Sequence, residues 1–223
     1  MRIGSGKPLT ERLGETMHAV VIRHAERLKF ASELGLAGHE ADEDAAPITD
    51  EGAEAATRVG TRLKGTFDHV FTSPVRRCVE TAEYVTQGAE LPLDSVRVAS
   101  FLSSTFFGLL RRVDERTKQD TVRSLLSGQA VAGFEYPRDR CAEALGLLGQ
   151  TVVEGPTIFV THDWWMALLL ANMTDAFDRH GYTIWPAFLE SYEIDFASRT
   201  VRYRGDEYGI STVPKGGWPG GGQ

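Results

Sequence analysis

The chain has 223 residues, 42% of them hydrophobic and 25% charged, which suffices for one full core and excludes wholesale disorder. Its formal net charge of -7 argues against non-specific binding to nucleic acid or anionic lipid, so cations gathered in one place carry more information. The longest apolar runs, such as Trp164 to Ala171, are too short to span a bilayer, and Met1 to Met17 lack the apolar core of a signal peptide; the expectation is a cytoplasmic protein.

Residues 1–18 mix glycines, a proline and charges and read as an N-terminal arm. Ala19 to Ile22 is a short apolar, β-branched run, the pattern of a buried strand. It stops at Arg23-His24, and Arg27 follows three residues later. Residues 28–46 show no period, and a loop of that length beginning at a strand end is a candidate pocket wall. Pro47 to Gly52 reads as a helix start, with Thr49 as cap and Asp50 and Glu51 at the positive end of the dipole. Ala55, Ala56, Val59 and Leu63 supply its buried stripe. His69-Val70-Phe71 is a second strand, ending at Thr72-Ser73-Pro74, with a helix from about Val75 to Thr86. Val96 to Ala99 is a third. Residues 101–136 open with aromatics, continue as a charged helical stretch to Leu126, and read as a lid or insertion. Asp139 to Gly149 is a helix. Thr157 to Val160 is the clearest strand; it ends at Thr161-His162-Asp163, and a helix runs from Trp164 to Asn172. Tyr192 to Phe196 and Thr200 to Tyr203 alternate across a short turn, which predicts an antiparallel hairpin. Residues 206–223, largely glycine at the end, read as a flexible tail. Strands alternating with helices predict an α/β fold with a largely parallel sheet.

Three of these strands deliver chemistry at their carboxyl ends, where open α/β sheets bind ligands. The first ends in Arg23-His24 with Arg27 beyond, the second feeds Ser73 to Arg77, and the last ends in His162-Asp163. An imidazole nitrogen is a competent nucleophile towards phosphorus, and arginines neutralise and orient phosphoryl oxygens. A carboxylic acid beside them can protonate a departing alkoxide. No metal or cofactor is required, and no carboxylate cluster or His/Cys spacing suggests a metal site. Cys78 and Cys141 read as free buried thiols, with a single disulfide between them left open.

The motifs resemble those of the histidine phosphatase superfamily, which includes the cofactor-dependent phosphoglycerate mutases and the histidine acid phosphatases. Arg23-His24-Ala25-Glu26 is similar to its Arg-His-Gly motif, with alanine in place of glycine. Ile48 to Gly52 followed by Ala55-Ala56 resembles the helix start of the mutase-like branch. Ser73 to Ala82 is similar to its Ser-Pro-Leu-x-Arg-Ala-x-x-Thr-Ala segment, and Thr161-His162-Asp163 to its second histidine motif. The resemblance implies a phosphoglycerate mutase-like three-layer α/β/α sandwich, with residues 19–205 as one catalytic domain. It implies His24 as the nucleophile that becomes phosphohistidine, with Arg23, Arg77 and His162 binding the phosphoryl group. Arg27, Asp163 and the segment Trp185 to Ser191 resemble the acid-phosphatase branch, which adds Arg27 to the phosphate site and makes Asp163 the proton donor.

The expected activity is metal-independent hydrolysis of a phosphate monoester on a small phosphorylated substrate, with no nucleic acid or membrane partner and an open oligomeric state, a homodimer included. Two alternatives stand beside it, a phosphomutase and a non-catalytic phospho-ligand-binding regulator. Glu26 competes with Asp163 as the acid, and Asp163 could simply cap the helix that follows it. Ala25 requires a backbone that avoids φ values only glycine tolerates. Aromatics such as Trp164, Trp165, Phe106, Phe107 and Trp185 read as core, or, at the pocket mouth, as a sign of an apolar leaving group.

Overall fold

A computed structural model describes residues 17–28, 45–103, 105–106, 115–132, 134, 136–215 and 217. Most of the expected loop 28–46, the N-terminal arm up to residue 16, parts of 101–136 and most of the glycine-rich end lie outside the described residues.

Among the described residues the sheet has seven strands: β1 (His18–Arg23), β2 (His69–Thr72), β3 (Val96–Val98), β4 (Thr157–Thr161), β5 (Ser191–Asp195), β6 (Thr200–Tyr203) and β7 (Asp206–Gly209). Their order across the sheet is β3-β2-β4-β1-β5-β6-β7. The first four strands of that order run parallel, and the rest pair antiparallel. The helices are α1 (Asp50–Arg62), α2 (Arg76–Gly88), α3 (Glu115–Leu126), α4 (Pro137–Val152), α5 (Asp163–Met173) and the short α6 (Ala176–His180).

Alternation along the central strands sorts the core into two layers. Val20 and Ile22 of β1, with Ile158 and Val160 of β4, face α1 and α2 in one cluster. Ala19, Val21 and Phe159 face α4 and α5 in the other. Strands buried on both faces read as continuous apolar runs, which is why Thr157 to Val160 was the clearest strand in the sequence. The architecture is the expected α/β/α sandwich, a sheet between two helix layers.

Two expectations need correction. Residues 206–209, assigned to the flexible tail, form the edge strand β7. Arg204 and Gly205 both take positive φ, 52° and 91°, the two-residue turn that matches the twist of an antiparallel hairpin. Tyr208 then turns inward and is buried. His18, assigned to the arm, is the first residue of β1 and pairs with Asp195 of β5.

Thr49 caps α1 by accepting the Gly52 N–H at 2.9 Å, as expected. The helices α1 and α2 approach until backbone meets backbone. A Cβ on Gly60 would collide with the Val85 carbonyl oxygen, and one on Gly88 with that of Thr57. We predict that Gly60→Ala costs about 1–3 kcal/mol through overpacking, measured by urea unfolding. Unchanged stability would mean that the two helices do not touch there.

Candidate active site

The parallel strands end at one edge, and backbone bonds carry their register past the ends. The His24 N–H donates to the Thr161 carbonyl at 2.9 Å, and the Ser73 N–H to the Val160 carbonyl at 3.0 Å. The turn after β1 is then tied to α2. The Ala25 N–H donates to Thr81 Oγ1 at 3.0 Å, whose hydroxyl donates to the Arg77 carbonyl at 2.6 Å. Ala25 is fully buried and is not among the residues with positive φ, so its methyl is accommodated without strain. The first turn of α1 presses on the same loop. A Cβ on Gly52 would stand 2.6 Å from the Glu26 carbonyl oxygen, so that position is confined to glycine by close approach.

Arg77 joins the two histidines. Its Nε donates to His24 Nε2 at 3.1 Å, and its Nη2 lies 3.2 Å from His162 Nδ1. The two rings stand edge to face, with centroids 5.5 Å apart. All three residues are buried. A guanidinium has donors and no acceptor, so each facing ring nitrogen must offer a lone pair. The His24 proton therefore sits on Nδ1, which donates to the Ala25 carbonyl at 2.8 Å. The His162 proton sits on Nε2, which donates to Ser73 Oγ at 3.0 Å, with Cys78 Sγ packed 3.5 Å away. Burial, reinforced by the Arg77 and Arg23 charges, pushes His24 down to about 3. Burial and Arg77 likewise hold His162 well below the ordinary histidine range. Both rings are neutral at physiological pH.

Arg23 closes the cage from β1. Its Nη2 pairs with Asp163 Oδ2 at 2.9 Å, its Nη1 donates to the Pro186 carbonyl at 2.8 Å, and its buried Nε has no hydrogen-bond partner. An unsatisfied guanidinium N–H beside a second arginine is a built-in donor for an anion. Phe188 lies over this corner, its ring 4.1 Å from the Arg23 guanidinium carbon and 5.6 Å from the His24 ring.

The structure thus brings Arg23, His24, Arg77, His162 and Asp163 together, five of the six residues expected at the site. Arg27 is on the rim. Its backbone bridges Ile48 and its guanidinium donates to the Leu28 carbonyl at 3.1 Å, while its charge joins burial in lowering Arg23. Glu26 is exposed. Asp163 is the first residue of α5, with Oδ1 accepting the Trp164 N–H at 2.7 Å and Oδ2 left for Arg23. It serves the helix start and the cage with different oxygens. Both cysteines are buried thiols outside any disulfide. Among the described residues no group of histidine, cysteine and carboxylate ligands could hold a metal, and no helix is long and apolar enough to cross a membrane.

The profile of the histidine phosphatase superfamily (branch 1) matches residues 19–203. The chain belongs to the histidine phosphatase superfamily. The branch is a correction: features resembling the acid-phosphatase branch, namely Arg27, Asp163 and the Trp185 to Ser191 segment, sit in a chain that matches branch 1. The physical reason is that the match spans β1 to β6 and both helix layers, whereas those features are a few residues at strand ends. No curated protein sequence matches the chain. Solved structures with the same fold include a mutant phosphoserine phosphatase from Entamoeba histolytica, at 16% identity and TM-score 0.58 over 87% of this chain and 97% of that one. A mycobacterial glucosyl-3-phosphoglycerate phosphatase shares 18% identity, TM-score 0.52, over 79% and 88%. A putative alpha-ribazole-5'-P phosphatase from Escherichia coli shares 19%, TM-score 0.53, over 90% and 99%.

Sequence reasoning about this superfamily member missed Ser73 as the acceptor for His162, Pro186 as the acceptor for Arg23, and Phe188 over the cage. The Ser73 signal was present in the motif; the other two depend on the fold of the turn before β5.

Two neutral buried histidines make stability depend on pH. In the unfolded chain His24 takes a proton near pH 6.5, but in the native protein only near 3. The unfolded state therefore binds more protons between those values, and stability falls as pH drops from about 6.5 towards 3. His24 alone contributes a loss of about 2 kcal/mol at pH 5. Urea unfolding at pH 7 and pH 5 should show this loss, and His24→Gln should shrink it; an identical pH slope in the variant would contradict a buried neutral His24.

Proposed function

We propose that this protein is a phosphatase that hydrolyses small phosphate monoesters through a phosphohistidine on His24. The observation that carries the reading is the orientation of His24: Nδ1–H is pinned to the Ala25 carbonyl and the Nε2 lone pair points into the cage at Arg77. A neutral imidazole whose Nε2 lone pair accepts from Arg77 can turn it to phosphorus once a phosphoryl oxygen takes over the Arg77 N–H, and the same cation stabilises the charge that develops. Phosphoserine and 3-phosphoglyceric acid, the ligands of the Entamoeba histolytica phosphatase of similar fold, are of the proposed substrate size.

In the first step His24 Nε2 forms a bond to phosphorus and the P–O ester bond breaks. Arg77 and the free Nε of Arg23 donate to the non-bridging oxygens, with Arg27 adding charge at the rim; His162, its Nε2–H held by Ser73, contributes by orienting Arg77. Asp163 delivers a proton to the departing alkoxide. The incoming phosphate ester, entering as its monoanion, displaces Asp163 from Arg23 and passes its own proton to the freed carboxylate, which hands it to the leaving oxygen. In the second step Asp163 takes a proton from water, the hydroxide attacks phosphorus, the P–N bond breaks and inorganic phosphate leaves. Asp163 is preferred to Glu26 because it touches Arg23, while Glu26 faces solvent.

His24→Ala should abolish hydrolysis of a generic ester such as p-nitrophenyl phosphate and the acid-labile phosphoryl adduct seen by mass spectrometry, with the fold retained. Turnover in that variant would remove the nucleophile. Phosphoryl transfer to an added alcohol in place of water would identify a mutase, and vanadate binding without turnover a regulator. Arg77→Ala should weaken vanadate inhibition by about 10- to 100-fold, the value of a charge-assisted hydrogen bond. Asp163→Asn should slow alkyl esters by about 10²–10⁴-fold and p-nitrophenyl phosphate far less; equal slowing would point to another acid.

A further inference from the structure

Phe188 is an aromatic ring held in the open. It is 41% exposed, so core packing does not hold it. Its position is set by the turn that carries it. Leu189, next in sequence, takes φ of +57°, a conformation that L side chains adopt only under constraint. Glu190 supplies the constraint. Its carboxylate accepts from the Ala187 N–H at 2.7 Å, from Tyr203 Oη at 3.1 Å, and from both Nε and Nη2 of Arg204, the latter at 2.6 Å. Arg204 also donates to the carbonyls of Thr183 and Trp185. These hydrogen bonds, together with the Arg204 charge, hold the Glu190 carboxyl below its usual range despite partial burial.

The clasp presents Phe188 with one side against Arg23 and His24. Its remaining surface opens to a groove of about 700 Å³ between α1 and the 187–190 turn. The same turn carries Trp185, half-buried against Trp164, the residue that follows Asp163. An exposed ring, rigidly fixed within van der Waals reach of the nucleophile, is what recognition of a flat apolar group requires.

We propose that Phe188 is the specificity-determining residue of this site, a stacking platform for the alcohol portion of the substrate, and that the preferred esters are phosphates of flat aromatic alcohols. This rests on the phosphatase reading above and deepens it.

The test is binding, which separates it from turnover. Calorimetry on the full chain compares orthovanadate, methylphosphonate, cyclohexylmethylphosphonate and 1-naphthylmethylphosphonate, with displacement by vanadate showing that each occupies the cage. The naphthyl compound should bind about three- to tenfold more tightly than the cyclohexyl compound, the range expected of an aromatic pair, and more tightly still than methylphosphonate. Phe188→Leu, which keeps apolar volume without a ring, should bring the naphthyl-to-cyclohexyl ratio to about one, and Phe188→Tyr should restore it. A ratio near one in the wild type, or one unchanged in Phe188→Leu, overturns the platform while leaving the cage intact. Failure of vanadate itself to bind overturns both readings. Should Phe188→Leu not fold, the wild-type ratio still decides.

Discussion

Arg77 spends a single planar guanidinium on two imidazoles that reach it from different strands. That geometry demands much of the rest of the molecule. A buried cation and two buried rings are stable only if every ring nitrogen has a partner and no ring carries a second proton. The parallel pairing of β1 with β4 brings His24 and His162 to one edge. The Thr81 hydroxyl, bonded both to the Ala25 N–H and to the Arg77 carbonyl, locks the helix that carries the guanidinium to the loop that carries His24. The helix start at Gly52 holds that loop from the other side.

A consequence is that the two histidines are locked in opposite tautomers. His24 gives its proton to a backbone carbonyl and His162 gives its own to Ser73. Both lone pairs then face the same guanidinium, so the cage is poor in protons and rich in positive charge. On the proposed reading such a cage suits an oxyanion better than water, because an anion would meet donors that are already oriented and partly desolvated. The unpartnered Nε of Arg23 adds a further donor on the same cage.

How much of this was legible in the sequence follows from how local each feature is. A short apolar run that stops at charged residues announces both a strand and a site, so Arg23, His24, Arg77, His162 and Asp163 could be placed at one sheet edge before any coordinates. The Thr49 cap was likewise local, whereas the close approach of Gly52 to Glu26 was not. The pairings were not. Which nitrogen faces which, and that Asp163 divides its two oxygens between Trp164 and Arg23, require three dimensions. Strand β7 was missed because it has one inward apolar residue, Tyr208, although Gly205 marked its turn. Phe188 was missed for a deeper reason. Its place depends on a positive φ at Leu189, enforced by Glu190 and by an arginine on a later hairpin. No window of sequence contains all of those residues.

That long-range dependence links the antiparallel half of the sheet to the chemistry. Arg204 owes its position to the β6–β7 turn, where its own φ is +52°. From there it fixes Glu190, whose backbone carbonyl accepts the Arg23 N–H at 3.0 Å. It also fixes the turn whose Pro186 carbonyl holds Arg23 Nη1. Arg23 thus has one lobe anchored to a carbonyl and the other on Asp163. Only the Asp163 contact can be exchanged when an anion arrives, since the backbone partner cannot leave without unmaking the clasp. The antiparallel strands thereby do more than close an edge. On the proposed mechanism they restrict the partner exchange to the carboxylate that supplies the proton, so that filling the cage and freeing that carboxylate become the same event.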